Sequence, residues 1–315
     1  MSDDFDMILK DMYQLWDRFV CTYLCIKKIL EKTLRSGPER VMIHSEPICL
    51  AQDVHPPERD SSLYRLAYQT RIIYVEVHPT ANIKHDDLVD NRFIISFLRP
   101  FHTIPQDSNW ADIWSTTRIV WSYRSLKGVN RCWHPAKIDL RELRPLEYFT
   151  PQVCKVEYNN DVAIAKFARF EYEIQFIEQE TRIYEIINGH DIGPRFLGHL
   201  TEANRVVGML LEYIDDARNP TVNDLEGCVN TLRQLHQLQI CHNDINLYNF
   251  LIRQSSNTVL LCDFEICETD AGEEKLFEEQ SQLKKSLEKD FRASEGHWTL
   301  YGRDRLGHKD NNYWL

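Results

Sequence analysis

The chain has 315 residues, 43% hydrophobic and 27% charged, the balance of a soluble globular protein of one large or two ordinary domains, which excludes low-complexity and disordered chains. Acidic residues outnumber basic ones 48 to 37 and leave a net charge of −11, so a general nucleic-acid or anionic-membrane binder, which needs a basic surface, is excluded too. The longest apolar stretches, such as Phe19 to Ile26, run about eight residues against the roughly 20 of a bilayer span, so no membrane span is expected. The start Met1-Ser2-Asp3-Asp4 is acidic where a secretory signal is basic, and the chain reads as cytoplasmic. Nine cysteines without a paired framework or a zinc spacing read as reduced thiols.

From about Asp4 to Leu34, apolar residues at i, i+3, i+4 spacing (Phe5, Ile8, Leu9, Met12, Leu15, Trp16) predict an amphipathic helix ended by Ser36-Gly37-Pro38. Thr70–Val77, Phe93–Leu98 and Thr117–Tyr123 are rich in β-branched and aromatic residues and predict strands, so residues 1–145 read as a helix plus a β-rich extension. The His and Trp residues of this half form no metal-ligand grouping. Beyond Pro145, Asn159-Asn160-Asp161 predicts a tight turn and Val162–Phe167 a strand. Within that strand Lys166 stands among apolar neighbours, either as an edge solubiliser or as an anion ligand. Glu171–Asn188 predicts a helix with Ile174, Ile177, Thr181, Tyr184 and Ile187 on its buried stripe and Gly189 as its stop. Arg195–Leu200 and Arg205–Tyr213 predict strands, and Asn223, with Glu226 as its reciprocal partner, predicts the cap of a helix carrying Leu225, Val229, Leu232, Leu235 and Leu238.

Chemistry-bearing residues then cluster. His242-Asn243-Asp244 is followed five residues later by Asn249, and Asp263-Phe264 comes after a Ser/Asn-rich turn. This His-x-Asp…Asn and Asp-Phe set resembles the catalytic loop and metal-binding motif of the protein-kinase-like superfamily. Val-Ala-Ile-Ala-Lys166 is similar to its nucleotide-binding strand, Glu180 to the helix glutamate that pairs with the lysine, and Glu212-Tyr213-Ile214 to its hinge. The order is collinear over about Phe149 to Glu268, and the neighbourhood of Leu98 to Phe196 also resembles fungal members of the superfamily.

The resemblance implies an α+β, protein-kinase-like bilobal fold: a kinase-like domain over 146–315, with a small lobe over about 146–212 and a reduced helical large lobe over about 213–315. It implies ATP and Mg²⁺ as cofactors. Lys166, oriented by Glu180, is expected to hold the nucleotide phosphates, and backbone groups of Glu212 and Ile214 to meet the adenine edge. Asn249 and Asp263 are expected to coordinate the metal and Asp244 to act on the attacking hydroxyl, with His242 bracing the loop rather than serving as a base.

Departures from the pattern narrow the class. No Gly-x-Gly-x-x-Gly precedes Lys166, and the hairpin Phe149–Asn160 contains no glycine. Glu265 replaces the glycine after Asp-Phe, and Asn246 replaces the lysine two residues after the catalytic Asp of protein kinases. Both changes point away from protein kinases, His242-Asn243-Asp244 and Asp263-Phe264-Glu265 are closer to choline-kinase-like and aminoglycoside-phosphotransferase-like enzymes, and only 50 residues follow Glu265, too few for a protein-kinase activation segment and its helices. The expected activity is phosphotransfer to a hydroxyl acceptor, a small molecule in preference to a protein; the alternative is a kinase-like nucleotide-binding or scaffold protein without turnover. The charged helix over Gly272–Phe291, with Leu276, Phe277, Leu283 and Leu287, is expected to fold onto the small lobe or, like the N-terminal helix, to bind a protein partner.

Overall fold

The computed structural model describes residues 48–55, 61–68, 71–77, 85–90, 92, 95, 113–115, 120–123 and 127–293. The expected N-terminal helix lies outside these residues. The chain forms two compact units that divide between Lys127 and Gly128.

In the first unit, β1 (Ile48–Asp53), β2 (Ser62–Tyr68), β3 (Arg71–Val77), β4 (Ile113–Ser115) and β5 (Val120–Tyr123) form an antiparallel sheet in the order β1-β2-β3-β5-β4. The strands expected over Thr70–Val77 and Thr117–Tyr123 correspond to β3 and β5. The one expected over Phe93–Leu98 lies outside the described residues except for Ile95, which is helical. A short helix, α1 (His85–Val89), is fixed to the sheet by two side-chain bonds to its carbonyls: buried Tyr64 donates its hydroxyl to Leu88 O at 2.8 Å and Gln52 Nε2 donates to Val89 O at 3.2 Å.

The second unit opens with a six-stranded sheet in the order β6-β10-β11-β9-β8-β7, built from β6 (Lys137–Asp139), β7 (Arg144–Tyr148), β8 (Val153–Tyr158), β9 (Asp161–Phe167), β10 (Phe196–Glu202) and β11 (Arg205–Glu212). Two hairpins fix its register, turning at Asn159-Asn160 and Ala203-Asn204. All four of these residues have positive φ, between 50° and 67°, which matches the right-handed twist of the flanking strands. β6 pairs in parallel with β10, and every other pair in the sheet is antiparallel. At Gly208 the strands approach so closely that an added Cβ would stand 2.4 Å from Lys166 O, so only glycine lets β11 lie against the strand that carries the lysine.

Helix α2 (Ile174–Ile186) packs on this sheet through Ile174, Ile177, Thr181 and Tyr184, all buried, as is Ile187 just beyond its end. Its start is anchored by a buried Arg169–Glu173 ion pair at 2.6 Å, and the same carboxylate accepts the Phe170 N–H. Gly189 ends the segment at φ +86°.

Next come β12 (Ala217–Arg218), α3 (Leu225–Gln237), β13 (Ile240–Cys241), β14 (Phe250–Arg253), β15 (Thr258–Leu261), β16 (Glu268–Thr269) and α4 (Glu273–Ala293). Helix α3 is not capped by Asn223. Thr221 and Asp224 cap the 3₁₀ turn ahead of it, Thr221 Oγ1 accepting from Asn223 N while Asp224 accepts from Thr221 N at 2.7 Å and from Arg218. Helix α4 does not fold onto the small lobe. It packs with α3 and the loop after β13, with Leu283 and Leu287 fully buried and Phe277, expected on the same stripe, 76% exposed. A mostly antiparallel sheet with one helix, followed by a helical segment with small ladders, is a kinase-like bilobal fold. Among the described residues no helix is long and apolar enough to cross a membrane.

Hydrogen bonds from Arg218 and Thr221 hold the Asp224 carboxyl far below the usual carboxylate range. Because its pKa is lowered on folding, its contribution to stability is present above about pH 4 and fades as pH falls toward the folded value. Asp224→Asn should therefore cost about 1 kcal/mol at pH 7, and the difference from wild type should shrink below about pH 4 in urea titrations.

Candidate active site

Lys166 is not an edge-strand lysine. β9 lies between β11 and β8, and Lys166 is 8% exposed. Its ammonium lies 2.6 Å from Glu180 Oε2, 2.6 Å from Asp263 Oδ1 and 3.4 Å from Glu265 Oε2, so strand, helix and the Asp-Phe loop meet on one cation. Burial alone would lower the pKa of the ammonium, but Glu180 and Asp263 outweigh it and hold the group well above the ordinary lysine range. Burial pushes the Glu180 carboxyl up to about 7 against the pull of Lys166. The oxygens of Glu180, Asp263 and Glu265 come within 4.8 Å of one another around the ammonium.

Four glutamates near α2 compete for the place beside Lys166, and their partners separate them. Glu173 takes Arg169, Glu178 accepts backbone N–H groups from Asn130 and Arg131, and Glu185 pairs with Arg131. Glu180, 1% exposed, is the one that meets Lys166, and its second oxygen accepts the Phe264 N–H at 3.4 Å.

Asp244 and Asn249 are joined directly. Asn249 Nδ2 donates to Asp244 O at 2.8 Å and to Asp244 Oδ2 at 2.9 Å, which leaves the amide oxygen as the atom of Asn249 available to a cation. The β14–β15 ladder carries Asn249 to Cys262, whose N–H donates to Asn249 O at 2.9 Å, and so brings Asn249 next to Asp263. Asn243 and Asp263 stand at φ 65° and 66°, a left-handed conformation that Asn and Asp adopt more readily than most residues.

His242 is fully buried with both ring nitrogens engaged, Nδ1 accepting from Asp244 N at 3.3 Å and Nε2 facing Cys262 O at 3.2 Å. Burial lowers its pKa, and a neutral imidazole satisfies both contacts. Its ring lies 5.5 Å from Phe264, Phe264 lies 5.3 Å from Tyr184, and Tyr184 lies 5.7 Å from Phe196. A column of rings thus ties the His242 loop, the Asp-Phe loop, α2 and β10 together. At the expected hinge, Glu212 N donates to Arg195 O at 2.9 Å, its carboxylate accepts from Arg253 at 3.1 Å, and Ile214 is buried. Burial raises the Glu212 carboxyl, and contacts from Arg195 and Arg253 bring it below its ordinary value.

Glu279 on α4 belongs to no motif of the sequence, yet it holds the loop after β13. Its buried carboxylate accepts from Asn243 N at 2.6 Å, from His242 N at 3.0 Å and meets His236 Nε2 at 2.7 Å, while Ser286 donates to Ile245 O at 2.7 Å. The signal for it is positional: Glu279 falls on the buried stripe between Leu276 and Leu283, where an unpaired carboxylate is not tolerated.

Residues 210–301 match the lipopolysaccharide kinase (Kdo/WaaP) family. The chain is similar to proteins named 3-deoxy-D-manno-octulosonic acid kinase. The one from Photobacterium profundum is 40% identical over 92 residues, covering 26% of this chain and 38% of that protein. That from Haemophilus influenzae is 38% identical over 63 residues (19% and 26%), and that from Pasteurella multocida 31% over 93 (26% and 39%). The chain thus spans between about a quarter and two-fifths of the length of these relatives. All three are bacterial, and the likeness to fungal members is not supported.

Removing Lys166 strands a buried carboxylate, so Lys166→Met should cost about 3 kcal/mol, and adding Glu180→Gln should restore most of it in a double-mutant cycle read by chemical denaturation. Glu279→Gln places an amide NH₂ against a backbone N–H and leaves one buried donor unsatisfied, at a cost of about 1–3 kcal/mol. Hydrogen exchange at the His242 and Asn243 amides should quicken in that variant, whereas unchanged protection would show that Glu279 does not hold the loop.

The similarity to lipopolysaccharide kinases therefore begins just before Glu212 and includes the Asp244–Asn249 pair, Asp263 and the helix α4 that holds the His242–Ile245 loop.

Proposed function

We propose that this protein is an ATP- and Mg²⁺-dependent phosphotransferase that moves the γ-phosphoryl group of ATP to a hydroxyl of a small sugar acceptor. The observation that carries the reading is the ammonium of Lys166 held between Glu180 and Asp263, with Asp244 and Asn249 bonded on the adjoining loop. Phosphoryl transfer asks a protein mainly to position groups and neutralise charge, and this set of one cation and several oxygen donors suits that demand.

The donor chemistry fits a hard divalent ion: Asp263 and the Asn249 amide oxygen would hold it, with Glu265 close by. Magnesium, when bound with the nucleotide, offsets the charge on the phosphate oxygens. Lys166 holds the α and β phosphates, kept in place by Glu180. Backbone groups of Glu212 and Ile214 meet the adenine. Asp244 orients the acceptor hydroxyl and takes its proton as the new O–P bond forms and the β–γ bridge breaks, with ADP as the leaving group. His242, with both nitrogens engaged in bracing the loop, takes no proton.

The choice of a sugar over a protein acceptor is supported by the family matched and by the names of the relatives, and the same names weigh against a scaffold without turnover. Incubation with ATP, Mg²⁺ and 3-deoxy-D-manno-octulosonic acid should give a phosphorylated sugar and ADP. Asp244→Asn should lower kcat by at least about 100-fold with ATP binding retained. ATP binding with no transfer to this or any related sugar would overturn the acceptor, and failure of Mg²⁺ and ATP to raise the melting temperature would overturn the activity.

A further inference from the structure

Lys155 is a second lysine on the face that bears Lys166, and no role has been given to it. Strands β8 and β9 pair Val153 with Lys166 and Lys155 with Ile164, so these four side chains share one face of the sheet. That face turns Lys166 onto Glu180 and Asp263. Lys155 stands two residues further along β8, roughly 7 Å from the level of Lys166 at about 3.3 Å per residue. The displacement runs toward the hinge, because β9 pairs with β11 as Lys166 with Met209 but Ala163 with Glu212. There the Lys155 ammonium lies 4.1 Å from the ring centroid of Tyr213, between Glu212 and Ile214. Val153, Ile164, Leu211 and Tyr213 all pack into one core cluster, and they give the segment between Lys166 and the hinge an apolar wall.

A nucleotide laid on this face with its phosphates at Lys166 brings its base to the level of Lys155 and Tyr213. A cation over an aromatic face is held by the ring quadrupole, and a nucleobase offers a π-face of the same kind. Resting on the phosphotransferase reading above, we propose that Lys155 is a base-binding residue whose ammonium exchanges the Tyr213 ring for the face of the incoming base. Its methylene stem then covers apolar surface that the base would otherwise leave in water. The contact is made to a π-face rather than to a base edge, so it serves adenine and guanine alike.

The test compares adenosine, ATP, GTP and inorganic tripolyphosphate as ligands of the full chain, wild type against Lys155→Met and Lys166→Met, by calorimetric titration. Lys155→Met should weaken adenosine, ATP and GTP by about 3- to 10-fold each and leave tripolyphosphate unchanged. Lys166→Met should show the reverse pattern, losing tripolyphosphate and ATP while keeping adenosine. A Lys155→Met loss that falls on tripolyphosphate, or on only one of the two nucleotides, would overturn the π-face contact, as would no loss at all. Failure of wild type itself to bind ATP would overturn the phosphotransferase reading together with this one, whereas a Lys155→Met variant that binds like a wild type competent for ATP would leave that reading intact.

Discussion

One buried ammonium organises the second unit of this protein. Taking Lys166 out of water is costly, and Coulomb attraction offsets the cost only when carboxylates are brought within contact distance and held there. Glu180 and Asp263 come from elements far apart in sequence, so the pair at 2.6 Å on either side requires strand, helix and loop to be fixed relative to one another. Much of the surrounding packing serves that requirement. Gly208 lets β11 lie against the back of the lysine strand, the Arg169–Glu173 pair fixes where α2 begins, and the ring column from Phe196 to His242 runs through α2 and both loops.

The large lobe holds its loop by a different device. The segment His242 to Ile245 has little regular structure of its own, so its backbone N–H groups need partners from elsewhere. A charged acceptor is the strongest available, and Glu279 takes two of these donors at once while its other neighbour, His236, comes from α3. Loop, α3 and α4 are thereby joined at a single carboxylate. A long helix that is mostly charged on its outer face can belong to the core through two leucines and one glutamate.

What could be read from residues alone follows from the range over which each signal acts. Asn159-Asn160 announces its hairpin because the conformation is local, and the α2 stripe from Ile174 to Ile187 is buried as periodicity predicts because one face of a helix must be covered. Lys166 is visible as a charge in an apolar run. Glu180 was legible only in part: it lies on the stripe with Ile177 and Tyr184, but three more glutamates crowd the same segment, and only their partners, Arg169, Arg131 and the backbone of Asn130, separate them. The parallel pairing of β6 with β10 links residues about sixty apart, beyond any local pattern. The cap falls at Thr221 rather than Asn223 because a 3₁₀ turn precedes α3, and α4 joins the large lobe because its buried stripe meets α3 and not the sheet.

The missing glycine-rich loop has a structural answer. The turn between β7 and β8 is closed by Thr150, whose Oγ1 accepts the N–H groups of Gln152 and Val153 at 3.2 and 3.1 Å, and it is tied to the lysine strand by Phe167 N donating to Gln152 O at 3.0 Å. A glycine-rich loop offers free amides to phosphates; this turn has two of its amides already engaged by its own threonine. Charge at the site must then be managed by side chains, yet around the ammonium of Lys166 there are three carboxylates, which together would repel a bare triphosphate. On the phosphotransferase reading a divalent ion bound with the nucleotide would find ligands in these carboxylates, which would otherwise stand as an obstacle. The glycine-free turn and the extra acidic residue at Glu265 would then be two sides of one arrangement, with carboxylates taking over at the phosphate site what backbone amides do in a glycine-rich loop.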